Sequence, residues 1–375
     1  MEIRDTVCAA LRGENPAWHL GHDAETEVEF AKFIRFHGVQ GLLHQADLSG
    51  WPQVMRDMVR REALSFAAWE LQHRHVLNQI FRELGNEGVI PLVLKGSALA
   101  VTHYSRPSLR VRGDTDVLVA IGRRTQVEET LTKIGFSPGL SVNGDYVVSE
   151  QTYTKTALGG SSHTVDLHWR VNNSLFLSAL FSYEELTVNA QPLDMFNGLA
   201  LGCSSVDSLL FACLHRAVHR TSPYTSDGQV YQDPNRLIWL YDIHLLAGIL
   251  KADEWAIFLE SATRKELRSV CLDAFLNTLA AFGTRIPFEV MKSLSAPSRE
   301  RPARYFSSSN LVQHVMDLQA LHTYNARWKL LKEWFFPGRS YMQRRFPQLA
   351  VLPLPFLYAW RLIRRIKRTR NFETA

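Results

Sequence analysis

The sequence has little that would mark a secreted, membrane-spanning or zinc-stapled protein. Its four cysteines, Cys8, Cys203, Cys213 and Cys271, are scattered without C-x-x-C spacing. That pattern implies neither a disulfide framework nor a zinc site and fits a reducing compartment. The opening residues, MEIRDTVCAA, lack a basic stretch followed by an apolar one, so no secretory signal is expected. The longest apolar run, LAVLPLPFLYAW at 349–360, is too short to span a bilayer and is broken by Pro353 and Pro355. Internal repeats and low-complexity segments are also missing. These absences predict a soluble, cytoplasmic protein.

Ordinary globular composition is what remains, with 46% hydrophobic and 21% charged residues over 375 positions. The formal charge of +5 is unevenly placed. Residues 341–375 hold eight Arg or Lys (Arg344, Arg345, Arg361, Arg364, Arg365, Lys367, Arg368, Arg370) against one acid, Glu373, which leaves the rest of the chain at −2. Any strong attraction to phosphates or anionic lipid therefore belongs to the tail.

The hydrophobic period changes along the chain. From Glu25 to about Gly85 it is helical, with Leu77, Ile80, Phe81 and Leu84 on one stripe and Gly88 as a C-terminal stop. Between Val89 and Arg170 come short β-like runs: VIPLVL (89–94), DTDVLVA (114–120), DYVVSE (145–150), QTYTKT (151–156) and HTVDLHW (163–169). Turn signals at Gly139, Asn143-Gly144 and Gly159-Gly160 separate several of them, and RRTQVEETLTKIGF reads as an intervening helix. Helical patterning returns after Asn172 in SSVDSLLFACLHRAVHR, where Ser205 to Asp207 supply capping side chains, in RLIWLYDIHLLAGIL, and in DEWAIFLESATRKELRSVCLDAFLNTLAAFG. Residues 285–340 are less periodic. The predicted class is α+β: a helical region at 1–88, a small mixed-sheet core at 89–172, helices at 173–340 and a basic amphipathic tail at 341–375.

Side chains at i and i+2 of a strand share a face, so Asp114 and Asp116 project together while Thr115, Val117 and Val119 turn the other way. Two carboxylates that close repel, and a divalent cation is the natural compensation. HTVDLHW repeats the arrangement, with Asp166 and His168 opposite Val165 and Leu167, and pairing with DTDVLVA would bring in a third carboxylate. Three hard oxygen donors suit magnesium or manganese better than zinc. Such metals commonly handle phosphate. Gly96-Ser97, between an apolar strand and a helix, offers a cradle in which glycine permits close approach and the first helical N–H groups face the anion. Lys95, Arg110 and Arg112 are the nearby cationic candidates.

Gly96-Ser97, Asp114-x-Asp116 and a later Asp166 together resemble the signature of the polymerase-β-like nucleotidyltransferase superfamily. More narrowly, LKGSALA, GDTDVLV and VDLHWR are similar to a bacterial nucleotidyltransferase family found beside biosynthetic clusters, including those for lasso peptides. The resemblance implies that Asp114, Asp116 and Asp166 are the catalytic and metal-binding residues, holding two Mg²⁺ or Mn²⁺ ions. Gly96 and Ser97 belong to that signature as the nucleotide cradle, and Lys95, Arg110 and Arg112, read from their position beside it, are the expected nucleotide contacts. An NTP, expected to be ATP, would pass its NMP group to a hydroxyl and release pyrophosphate, with Asp166 helping to deprotonate that hydroxyl. The sixteen residues between Ser97 and Asp114, Pro107 among them, exceed the spacing of the commonest members and predict a reshaped nucleotide pocket.

A peptide or small-molecule acceptor is favoured over nucleic acid, because the body is slightly acidic and has no basic stripe interleaved with aromatics. An RNA-end or toxin-like transferase, phosphoryl transfer on the same fold and a nonenzymatic adaptor remain the alternatives. His168 borders either the acceptor pocket or a domain interface. Tyr104 is read as packing its helix against the sheet. His215 and His219 stand four apart without the acid of H-E-x-x-H and are read as structural. In the tail, Phe356, Trp360 and Ile363 fall opposite several arginines. Residues 352–370 are thus a candidate for peripheral membrane contact or a basic arm, the other reading being a docked terminal helix.

Overall fold

The computed structural model describes residues 2–21, 23–140, 144–157, 159–226 and 229–372, with the backbone alone at 225, 226 and 365–372. Asn143 of the expected turn, Glu373, and the side chains of Arg365, Lys367, Arg368 and Arg370 lie outside the described residues.

A long helix, Gln53–Asn86, buries Leu77, Ile80, Phe81 and Leu84, the stripe read from the sequence, and Val76 beside them. Gly88 follows it with φ of 69°, a left-handed turn that glycine adopts without steric cost. The chain then enters a seven-stranded mixed sheet. Its strands are β1 (Leu92–Val93), β2 (Asp114–Leu118), β3 (Ser137–Pro138), β4 (Glu150–Thr156), β5 (Ser162–His168), β6 (Gln191–Pro192) and β7 (Leu201–Gly202). Their spatial order is β3-β4-β5-β2-β1-β7-β6. β2 and β5 run parallel, and β4 pairs antiparallel with β5. The sheet thus extends past residue 172, because β7 lies parallel beside β1.

Strand alternation divides the core in two. Val93, Val117, Val119, Val165 and Leu167 face the long helix in one cluster. Leu92, Leu94 and Leu118 face the other way, into a larger cluster shared with the front helices and with Ser205–Val218, Leu237–Ile249, Ala252–Arg264 and Arg268–Phe282. Leu237–Ile249 is apolar nearly all round, as a helix buried on most sides must be.

Several expectations need correction. DYVVSE is not a strand before Glu150. The backbone N–H groups of Asp145, Tyr146 and Val147 all donate to the carboxylate of Glu333. Successive N–H groups of an extended strand point in opposite directions, so one acceptor can collect three only from a bent loop. Residues 285–340 form four helices, Phe288–Leu294, Arg301–Ser307, Asn310–Gln319 and Tyr324–Phe335, too short to display a clear period. The cap of Ser205–Val218 is Ser204, whose hydroxyl oxygen accepts from the Asp207 N–H.

In the tail, Leu357 of the helix Leu354–Phe372 packs with Met342 and Phe346, while Phe356 and Ile363 are exposed. Arg361 donates to the Trp334 carbonyl. Among the described residues no helix is long and apolar enough to cross a membrane.

Asp242 is the lone acid in the apolar helix Leu237–Ile249, and its neutralising partner is Arg110, 6% exposed like Asp242 itself. Arg110 donates through Nε and Nη2 to both carboxylate oxygens, and the Tyr104 hydroxyl donates to Oδ1 at 2.7 Å. Removing one member leaves a buried charge uncompensated. Asp242→Ala should therefore lower the unfolding free energy in urea by about 3–5 kcal/mol, and Arg110→Met with Asp242→Leu should recover a large part of it.

Candidate active site

Parallel pairing of β2 with β5 sets Asp116 opposite Asp166, Asp114 opposite Thr164 and Leu118 opposite His168. Alternation turns Val117, Val165 and Leu167 into the core and leaves Asp114, Asp116 and Asp166 on the opposite face. Strands lie about 4.8 Å apart, so Asp166 sits beside Asp116 across the ladder. The back of β2 is held as firmly as its front. Thr115, fully buried, bonds the Ser97 hydroxyl at 2.9 Å and His73 Nε2 at 2.7 Å, and Ser97 also donates to the Asp114 carbonyl.

Two groups compensate the acids. Lys95 Nζ donates to Asp116 Oδ1 at 2.6 Å, and His168 Nε2 lies 2.9 Å from the same oxygen. His168 Nδ1 is 3.3 Å from Glu150 without a hydrogen bond forming. Burial would raise the Asp116 pKa, but Lys95 and His168 outweigh it and hold the carboxyl far below its ordinary value. Asp114 has no such partner. Burial, then the charges of Asp116 and Asp166, push its pKa up to about 7. Asp166 is raised for the same reasons, against a hydrogen bond from Thr152, and its Oδ1 is buried without a partner. For Lys95, burial favours the neutral amine, and the Asp116 carboxylate more than reverses this.

The helix Lys95–Thr102 begins directly after β1, and Lys95 adopts a left-handed φ of 52°. A Cβ on Gly96 would lie 2.9 Å from the Arg110 guanidinium carbon, so glycine here admits that side chain. Ser97 is 3% exposed and its hydroxyl supports β2. Arg112 forms a second buried pair, 2.9 Å from Glu70. Each of the three cationic candidates therefore already meets a carboxylate within the protein.

Lys95, Gly96, Ser97, Arg110, Arg112, Asp114, Asp116 and Asp166 all line one cavity of about 1110 Å³. Among the described residues, no three His, Cys, Asp or Glu side chains stand close enough, as placed, to hold a metal ion. Sequence reasoning passed over Glu150 and Thr152, which β4 sets opposite His168 and Asp166. Period-2 alternation around buried Tyr153 was the available signal. His215 and His219, read as structural from the sequence, line the same cavity together with Tyr224, Arg236 and Trp239, which sequence reasoning passed over.

A family model described as an uncharacterised nucleotidyltransferase matches residues 23–283, which includes the sheet, its helices and the cavity. No curated protein matches the chain.

Asp114 makes the chelated protein pH-sensitive. A carboxyl whose folded pKa exceeds its unfolded value of 3.8 contributes stability below that value and loses it as pH rises through about 7. The melting temperature of EDTA-treated protein should fall between pH 6 and pH 8, and Asp114→Asn should flatten that slope, as read by calorimetry.

Proposed function

The chain belongs to the uncharacterised nucleotidyltransferase family, and on that premise we propose that it transfers the NMP group of an NTP to a hydroxyl of a peptide or small-molecule acceptor, releasing pyrophosphate. The observation that carries this reading is the register of β2 and β5, which gathers three acids on one face of the cavity.

In chemistry the donors suit a hard divalent cation such as Mg²⁺ or Mn²⁺, and the carboxylates would draw closer than they stand here to hold it: one oxygen of Asp166 is buried without a partner and one carboxyl, Asp114, is poised to lose a proton near neutrality. Bound by Asp114, Asp116 and Asp166, as two ions on the pattern of the superfamily, it would supply neutralisation of charge on the entering and leaving oxygens. Gly96 and Ser97 offer backbone N–H groups at a helix start to the phosphate oxygens. Lys95, on a flexible stem, exchanges Asp116 for the triphosphate when nucleotide arrives. Arg110 and Arg112 add positive potential to that side while remaining bonded to Asp242 and Glu70. Asp166 accepts the proton of the attacking hydroxyl as its oxygen bonds the α-phosphorus and the bond to pyrophosphate breaks. The volume of about 1110 Å³ leaves room for nucleotide and acceptor together.

The test uses ATP radiolabelled at the α-phosphate, with Mg²⁺ and cell extract as the source of acceptor. Label should enter a peptide or small-molecule fraction, and the Asp114→Asn, Asp116→Asn double variant should reduce incorporation by at least about 10³-fold. Incorporation from the γ-phosphate alone would replace nucleotidyl with phosphoryl transfer. Label in RNA would redirect the acceptor.

A further inference from the structure

The proposed chemistry orients the nucleotide within the cavity. Strand order places Thr152, Asp166, Asp116 and then the Lys95–Gly96 turn in succession across one face. In-line displacement sets the entering and leaving oxygens on opposite sides of the phosphorus. With pyrophosphate on the Lys95–Gly96 side and the acceptor on the Asp166 side, the reaction axis crosses the strands. The ester oxygen bearing the nucleoside lies off that axis, and the nucleoside extends toward the part of the cavity lining formed by His215, His219, Tyr224 and Trp239.

That part of the lining is built from flat rings. His219 stacks on Trp239 with centroids 4.7 Å apart and planes at 20°. His215 meets the same indole edge-on at 5.0 Å, and Tyr224 at 5.0 Å. Burial first, then neighbouring positive groups, lower the His215 pKa well below its ordinary value and bring His219 to about 4. Both imidazoles are therefore neutral at pH 7. Arg236 lies over Trp239 at 5.1 Å and is held there by donating to the Phe36 carbonyl. Neutral rings of this kind supply little to a phosphate or a carboxylate. They suit a heteroaromatic ring, which adds a layer to a stack already present.

We propose that His215, His219, Tyr224 and Trp239 form the nucleobase subsite of this protein. This rests on the nucleotidyl-transfer reading, so its test separates base from phosphate. Calorimetric titrations of the full chain with Mg²⁺ would compare ATP with inorganic tripolyphosphate, which carries the phosphates and no base. His219→Ala and His215→Ala should each weaken ATP binding by about tenfold and leave tripolyphosphate binding unchanged. Trp239 is buried, so Trp239→Phe serves as the conservative arm and should keep most of the ATP affinity. Melting curves confirm that each variant is folded. Unchanged ATP affinity in both histidine variants, or an equal loss for tripolyphosphate, overturns the base subsite while leaving the phosphate side intact. Wild-type protein that binds neither ligand overturns the nucleotide reading itself.

Discussion

Three acids held side by side on a sheet face repel one another, and the surrounding architecture is a response to that repulsion. β-pairing fixes the register, so the side chains cannot drift apart without breaking the ladder. Lys95 and His168 both attend Asp116, and the imbalance leaves Asp114 and Asp166 holding protons more tightly than ordinary carboxyls. In the proposed reaction, such a site would exchange protons and a lysine contact for added positive charge.

Buried charge pairs tie the approach to the acids to distant helices. Arg110 and Asp242 join the approach to β2 with the helix Leu237–Ile249, and Arg112 and Glu70 join it to the helix Gln53–Asn86. Such pairs contribute little net stability compared with hydrocarbon of the same shape, but breaking one leaves a buried charge uncompensated. The result is a strand start fixed against two helices that are far apart in sequence.

The residues whose position depends on local period were legible in the sequence. Alternation alone put Asp114 and Asp116 on one face and Asp166 with His168 on another strand, and helical spacing found the buried stripe of the long helix. Partnerships across long separations were not. Nothing near Arg110 announces Asp242, 132 residues away, and nothing near Gly96 announces that a guanidinium packs against it. DYVVSE has β-branched residues and misled for that reason, since its conformation is set by a side chain 186 to 188 residues further on. The imidazoles of His215 and His219 were visible as a pair, but their neighbour Trp239 comes from another helix.

That distant side chain links two parts of the molecule. Glu333 lies beyond the region matched to the family, yet its carboxylate gathers the loop that leads straight into Glu150 and the edge of the cavity. Gly144 is required at the loop's start, because a Cβ there would stand 2.5 Å from the Glu333 carboxyl carbon. Arg170 grips the same loop from the other side through the carbonyls of Asp145 and Val148. A pull on the helix Tyr324–Phe335 would strip three amides of their common acceptor and leave the loop to Arg170 and to the Arg124–Asp145 pair. Through Glu333 the C-terminal segment thus latches one rim of the cavity.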